Sequence, residues 1–292
     1  MVNQSFPRGV ALSQRLRFSM MGLILLCIPL GLGDPGKALT IAEAQLPSTS
    51  AQPATSAPAD LSDRLAEIDA AANRQDLNAL MRFYSSDFQH QDGLNHAAMT
   101  EVIKNFWDTH EQVEYTTKLL SWQSTGTNRY TAETETTVTG TQILSDRELK
   151  LTATLRSQQQ FVEGQIVRQT TLAEQSQITS GESPPTVTVN MPAQVQAGQS
   201  FNFDAIVQEP LGSQILMGAV YQEPVNAENY QKKPDIQLEP LRSGGFFKTG
   251  RAAAEPSQEW ISAVFVREGG MTFVTQRLNV ISAQASTPAT AR

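Results

Sequence analysis

Asp76–Gly93, DLNALMRFYSSDFQHQDG, is the stretch on which the fold of this chain turns. Asp76 can cap a short helix whose apolar positions are Leu77, Leu80, Met81 and Tyr84. An extended piece around Phe88 follows, and Asp92-Gly93 makes a turn. At the period of two expected of a strand, Phe88, His90 and Asp92 share one face. Upstream, Leu61, Leu65, Ile68 and Ala72 form a helical stripe behind a cap at Asp60 or Ser62. Downstream, Asn95 can cap a third helix carrying Met99, Val102, Ile103, Phe106 and Trp107.

From Glu111 the apolar period changes from 3.6 to 2. Val113, Tyr115, Thr117 and Leu119 alternate with polar residues, and Arg129–Gly140 and Leu149–Leu155 continue the pattern. Glu163-Gly164 is a hairpin turn and Ile166–Leu172 returns. Helices followed by an antiparallel meander read as an α+β unit with helices on one face of a curved sheet.

The run NRQDLNALMRFYSSDFQHQDG, the helix ending NFW and the strands with their VEGQIVR turn resemble the nuclear transport factor 2-like (SnoaL-like) superfamily. The resemblance spans about 115 residues, with residues 60–178 as the domain. It implies a cone-shaped fold whose cavity serves enzymes and non-enzymatic modules alike. That superfamily commonly dimerises through its sheet, so the resemblance leaves room for a homodimer.

Residues 184–282 carry no helical stripe. Thr186–Met191, Phe201–Val207, Gln214–Tyr221, Trp260–Arg267 and Thr272–Ile281 read as short strands, with Gly269-Gly270 as a turn. This block resembles the cysteine-free immunoglobulin-like β-sandwiches of exported bacterial proteins. In Asn226–Arg251, the hydrophobics Leu238, Leu241, Phe246 and Phe247 beside Gly244-Gly245 suit a strand edge that packs back, or else a binding loop. Gln177–Pro185 breaks both helix and strand and separates the two blocks.

The ends are of another kind. Arg8, Arg15 and Arg17 precede an apolar run from Phe18 to Gly33, the signature of a secretory signal peptide over residues 1–44. A helix of that length spans roughly 24 Å, short of a ~30 Å hydrocarbon core. Ala42-Glu43-Ala44 offers a cleavage site, with earlier cleavage near Gly33 or an uncleaved anchor as alternatives. Cys27 lacks the small preceding residues of a lipobox. Losing four cations and two acids from a net charge of −7 leaves a mature chain at −9 without cysteine. Residues 45–59, Pro, Ser, Thr and Ala in the main, read as a disordered linker, and 283–292 as a disordered tail.

Composition excludes several classes. The 292 residues, 40% hydrophobic and 17% charged, suffice for about two domains. A pI near 5.1 argues against nucleic acid as partner. One cysteine and three histidines argue against a zinc or polyhistidine centre, and no further cofactor is indicated. There is no GxSxG, HExxH, phosphate loop or dinucleotide glycine signature.

The candidate catalytic set is His90 as base, Asp92 as its orienter and Tyr84 as donor, with Asp87 nearby. The plainer alternative puts His90 and Asp92 at a solvated turn. Tyr115, Trp122 and Tyr130 are candidate ligand-binding residues for a flat molecule, or else core. His96 belongs to the first turn of the third helix, and His110 follows that helix where a cation suits its dipole. Glu133 and Glu135 read as a solvated strand face rather than a calcium site.

The resulting expectation is a periplasmic or extracellular, non-enzymatic binding protein. Its partner would be a small apolar molecule or an envelope protein, and it would not hold to a membrane after cleavage. The competing expectation is a small-molecule isomerase, dehydratase or hydrolase using the His–Asp pair. A third is an assembly module whose cone is filled by its own side chains.

Overall fold

A computed structural model describes residues 16–17, 51–230, 235–241 and 243–282. Of the expected signal peptide, only Leu16–Arg17 falls within the described residues, as a short antiparallel pairing with Asp235–Ile236. The expected tail at 283–292 lies outside them.

The chain is mostly β, which overturns the expected fold class of a three-helix α+β cone followed by a separate all-β sandwich. Strands hold 58% of the described residues and helices 16%. The strands of both halves join in one largely antiparallel sheet of eleven. Its first half is four 16-residue strands, Glu111–Gly126, Arg129–Leu144, Arg147–Val162 and Gln165–Ser180. Its second half is Gly270–Ile281, Ser257–Arg267, Leu216–Pro224 and Glu239–Leu241, paired in that order.

The Gln165–Ser180 strand is the join. Its opening residues pair in parallel with Tyr84–His90, setting His90 opposite Gln169. Its closing residues pair with Gly270–Ile281, from Gln175↔Gln276 to Ser180↔Met271. The sheet therefore crosses the expected boundary at 178–184 without a gap. The break expected at Gln177 comes only at Gly181, whose φ is +99° and where a Cβ would stand 2.3 Å from the Gly269 carbonyl oxygen.

Three α-helices occur among the described residues: α1 (Ala59–Asn73), α2 (Leu77–Met81) and α3 (His96–Thr109). Asp76 and Asn95 cap α2 and α3 as their sequence implies, accepting from the Ala79 and Ala98 amides at 2.9 Å. Helix α1 begins behind Pro58 without a side-chain cap. Leu61, Leu65, Met99 and Val102 bury their stripes with Phe88 and Ile166 of the sheet, and Tyr230 and Trp260 from the second half join the same core. Among the described residues no helix is long and apolar enough to cross a membrane.

The linker expectation fails over Gln52–Ser56. Gln52–Pro53 adds an edge strand against Trp122 and Ser121, and Ala54–Ser56 makes a 3-10 turn. The Trp122 indole reaches the Ser56 hydroxyl at 3.3 Å, giving an otherwise featureless segment an anchor.

In the second half, Val187–Asn190, Ser200–Val207 and Gly245–Arg251 form a three-stranded sheet. Phe201, Phe203, Ala205 and Val207 alternate inward against Ile261, Phe265 and Val274 of the large sheet. The large sheet's opposite face holds Val264 and Phe273 against Ile236 and Leu149. Burial on both faces explains why Trp260–Phe265 is enclosed without alternation.

Candidate functional site

His90 closes its strand with two turn bonds, its amide to the Leu94 carbonyl at 2.7 Å and the Gly93 amide to its own carbonyl at 3.0 Å. Gly93, at φ +88°, lets the chain reverse there. The turn sends the Asp92 side chain toward Arg277 of the Gly270–Ile281 strand. The side chains of His90, Asp92 and Arg277 are each 1% exposed, so this is a dry cluster and not a solvated turn.

Arg277 organises it. Its two terminal nitrogens donate to the Asp92 carboxylate at 3.0 and 2.9 Å, a bidentate pair. Its Nε donates to Glu174 Oε2 at 2.9 Å, and its Nη1 also reaches the Gln258 side-chain carbonyl. The Tyr230 hydroxyl donates to Asp92. The Trp260 indole donates to Glu174 at 3.0 Å, and its ring lies 5.7 Å from the guanidinium carbon. Burial alone raises the Asp92 carboxyl, but Arg277, His90 and Tyr230 together outweigh it and hold the group below its ordinary value. Burial lowers Arg277, yet Glu174, Tyr230 and Asp92 raise it further, so it stays charged. Burial drives His90 down to about 4, against the pull of Asp92, so the ring is neutral near pH 7.

The expected His–Asp pair therefore exists, with Nδ1 and Oδ2 3.4 Å apart, but it is not a base with its orienter. The Asp92 backbone amide donates to Nδ1 at 3.2 Å, which leaves the ring proton on Nε2, 3.3 Å from the Thr171 hydroxyl. An orienting carboxylate must accept from the ring, and both Asp92 oxygens already serve Arg277 and Tyr230. Tyr84 stands apart, edge-on to Phe88 at 4.9 Å, with burial pushing its hydroxyl up to about 12. Asp87 is exposed on the strand.

The cavity lies elsewhere, between α1, α3 and the long strands, with a volume of about 120 Å³. Leu65, Ile68, Val102, Phe106 and Leu155 line it with Tyr84 and Tyr115; His90 and Asp92 do not. Asp69, Thr117, Thr136, Ser157, Gln159 and Gln169 add polar groups to its wall. Asp69 accepts from the Thr117 amide at 2.7 Å and hydroxyl at 2.6 Å, and the Trp107 indole donates to the Tyr115 hydroxyl at 2.9 Å. The Gln159 amide donates to Gln169 Oε1 at 3.5 Å, and its own Oε1 has no partner.

Of the expected ligand-binding residues, Tyr115 faces the cavity, whereas Trp122 and Tyr130 do not line it. These two rings meet edge-on at 6.0 Å, and Tyr130 donates to Asp60 at 2.8 Å, so they fasten the start of α1 to the sheet. His96 contacts the Met81 carbonyl at 3.3 Å. His110 stacks on Phe106 and burial lowers its pKa, so it is not the cation expected at the end of α3. Glu133 pairs with Arg156.

Sequence reasoning missed Arg277, Glu174, Tyr230 and Trp260. The available signal was a lone arginine inside the apolar run MTFVTQRLNVI, where a cation is enclosed only beside an acid.

Residues 182–281 match the model of a domain family of unknown function, DUF8623. That segment contains Tyr230, Trp260 and Arg277, while His90, Asp92 and Glu174 precede it. No curated protein matches the chain. Among solved structures, the chain is similar to one of Bdellovibrio bacteriovorus Bd1075 at 16% identity and a TM-score of 0.28. The match covers 38% of this chain and 40% of that one, and a likeness so slight carries no argument.

Proposed function

We propose that this chain is a non-enzymatic binding protein that holds a small, largely apolar molecule in the cavity beneath α1 and α3. The observation that carries this reading is the separation of the two sites. Among the described residues the one His–Asp pair is buried, held by Arg277 and absent from the cavity wall, while the cavity offers a mainly apolar surface. The isomerase, dehydratase or hydrolase alternative rests on His90 as base, and that residue is not on the cavity wall. Export belongs to the same proposal and rests on Arg8, Arg15, Arg17 and the apolar run that follows.

The test is thermal unfolding of the purified chain with single-ring compounds at millimolar concentration. A ligand of the native state at 100 times its Kd adds about 2.7 kcal/mol, visible as a rise in Tm. A rise that is lost when Ile103 at the cavity wall is enlarged to tryptophan supports the proposal. No rise with any compound sinks it.

A further inference from the structure

Resting on that reading, we infer that the cavity selects a single-ring ligand that is not an anion and bears a hydrogen-bond donor, and that Gln159 is the residue that receives the donor. Size sets the first limit. Apolar cavities of roughly 150 Å³ hold benzene, and this one is of similar scale at about 120 Å³. Charge sets the second. Asp69 is the one formally charged residue of the wall, so an anion meets a like charge there.

Gln159 sets the third. It lines the cavity, and its Oε1 is enclosed with no hydrogen-bond partner. A buried bare acceptor is a standing cost that a donor on the ligand removes. The amide is free to turn to such a donor, because its tie to Gln169 is long at 3.5 Å and the terminal torsion of a glutamine is soft. A ligand with an acceptor alone, or with no polar group, leaves that oxygen bare.

The experiment compares phenol, benzaldehyde and toluene, as donor, acceptor and neither, by titration calorimetry on the full chain. Phenol is expected to bind at least about tenfold more tightly than the other two, the size of one net hydrogen bond. Gln159→Met keeps length and bulk, and is expected to erase phenol's advantage over toluene. Equal affinity of phenol and toluene in the wild type overturns the inference, as does an advantage that survives Gln159→Met. The wild-type ranking decides the matter even if the variant does not fold. If none of the three binds, the cavity reading itself falls and the donor preference with it; if toluene binds and phenol gains nothing, only the preference falls.

Discussion

Arg277 grips Asp92 across 185 positions of sequence, through two parallel hydrogen bonds between side chains that are both buried. The same guanidinium holds Glu174, so one cation compensates two carboxylates. Removing it leaves both enclosed and unpaired. Arg277→Met is expected to cost about 3–5 kcal/mol in urea unfolding. The triple change Asp92→Asn, Glu174→Gln, Arg277→Met should recover most of that loss. A single-variant cost under about 1 kcal/mol would show the pair to be weakly held.

Acid should loosen the protein in two steps. His90 is neutral when folded, with its pKa driven down to about 4, whereas an unfolded histidine protonates near 6.5. Between those values the unfolded chain binds the extra proton, so stability is full above about pH 6.5 and falls toward pH 4, by about 1.4 kcal/mol per unit. Asp92 adds its own loss only lower, as pH drops below the ordinary carboxylate range. His90→Asn should reduce the slope between pH 6.5 and 4, read from urea midpoints at several pH values. A slope unchanged in the variant would assign it to other groups, His110 first.

Thr134 offers a gain. It is 0% exposed in the Arg129–Leu144 strand, and its hydroxyl has no hydrogen-bond partner. Valine has the same shape, suits a strand and removes the bare hydroxyl, so Thr134→Val should stabilise by about 1 kcal/mol. A lower denaturation midpoint in the variant would count against an unpaired hydroxyl.

Gly181 should tolerate no side chain. With φ at +99° and the Gly269 carbonyl 2.3 Å from any added Cβ, Gly181→Ala forces both strand ends apart. Gly198→Ala, where the space is open but φ is also positive at +74°, is expected to lose about 1–2 kcal/mol, and Gly181→Ala clearly more because the clash adds to the strain. Calorimetric melting of the two variants compares them directly, and equal losses would point to φ alone.

Local features were legible in the sequence. The caps at Asp76 and Asn95, the stripe of α1 and the alternation from Val113 to Leu155 each depend on neighbours a few positions away, and the spacing carries them. The pairing of Gln175 with Gln276 has no such trace, because strand register between distant segments is set by the assembled sheet. The fold class is not legible in the sequence for that reason: two patterns, each coherent alone, merge along one strand. Arg277 was hidden similarly, since its place among apolar residues hints at a buried cation but does not say that Asp92 and Glu174 arrive from elsewhere to pair with it. His90 and Asp92 were found as neighbours, but their saturation by Arg277 was not visible.

The shared Gln165–Ser180 strand also orders events in time. When the chain has been synthesised only as far as Ser180, one edge of that strand lacks its neighbour, and Asp92 and Glu174 have no cation to meet. The early half must wait, partly formed and with a bare edge open to other chains, until Gly270–Ile281 emerges. Premature termination anywhere before Arg277 should therefore yield aggregates in place of a smaller working protein.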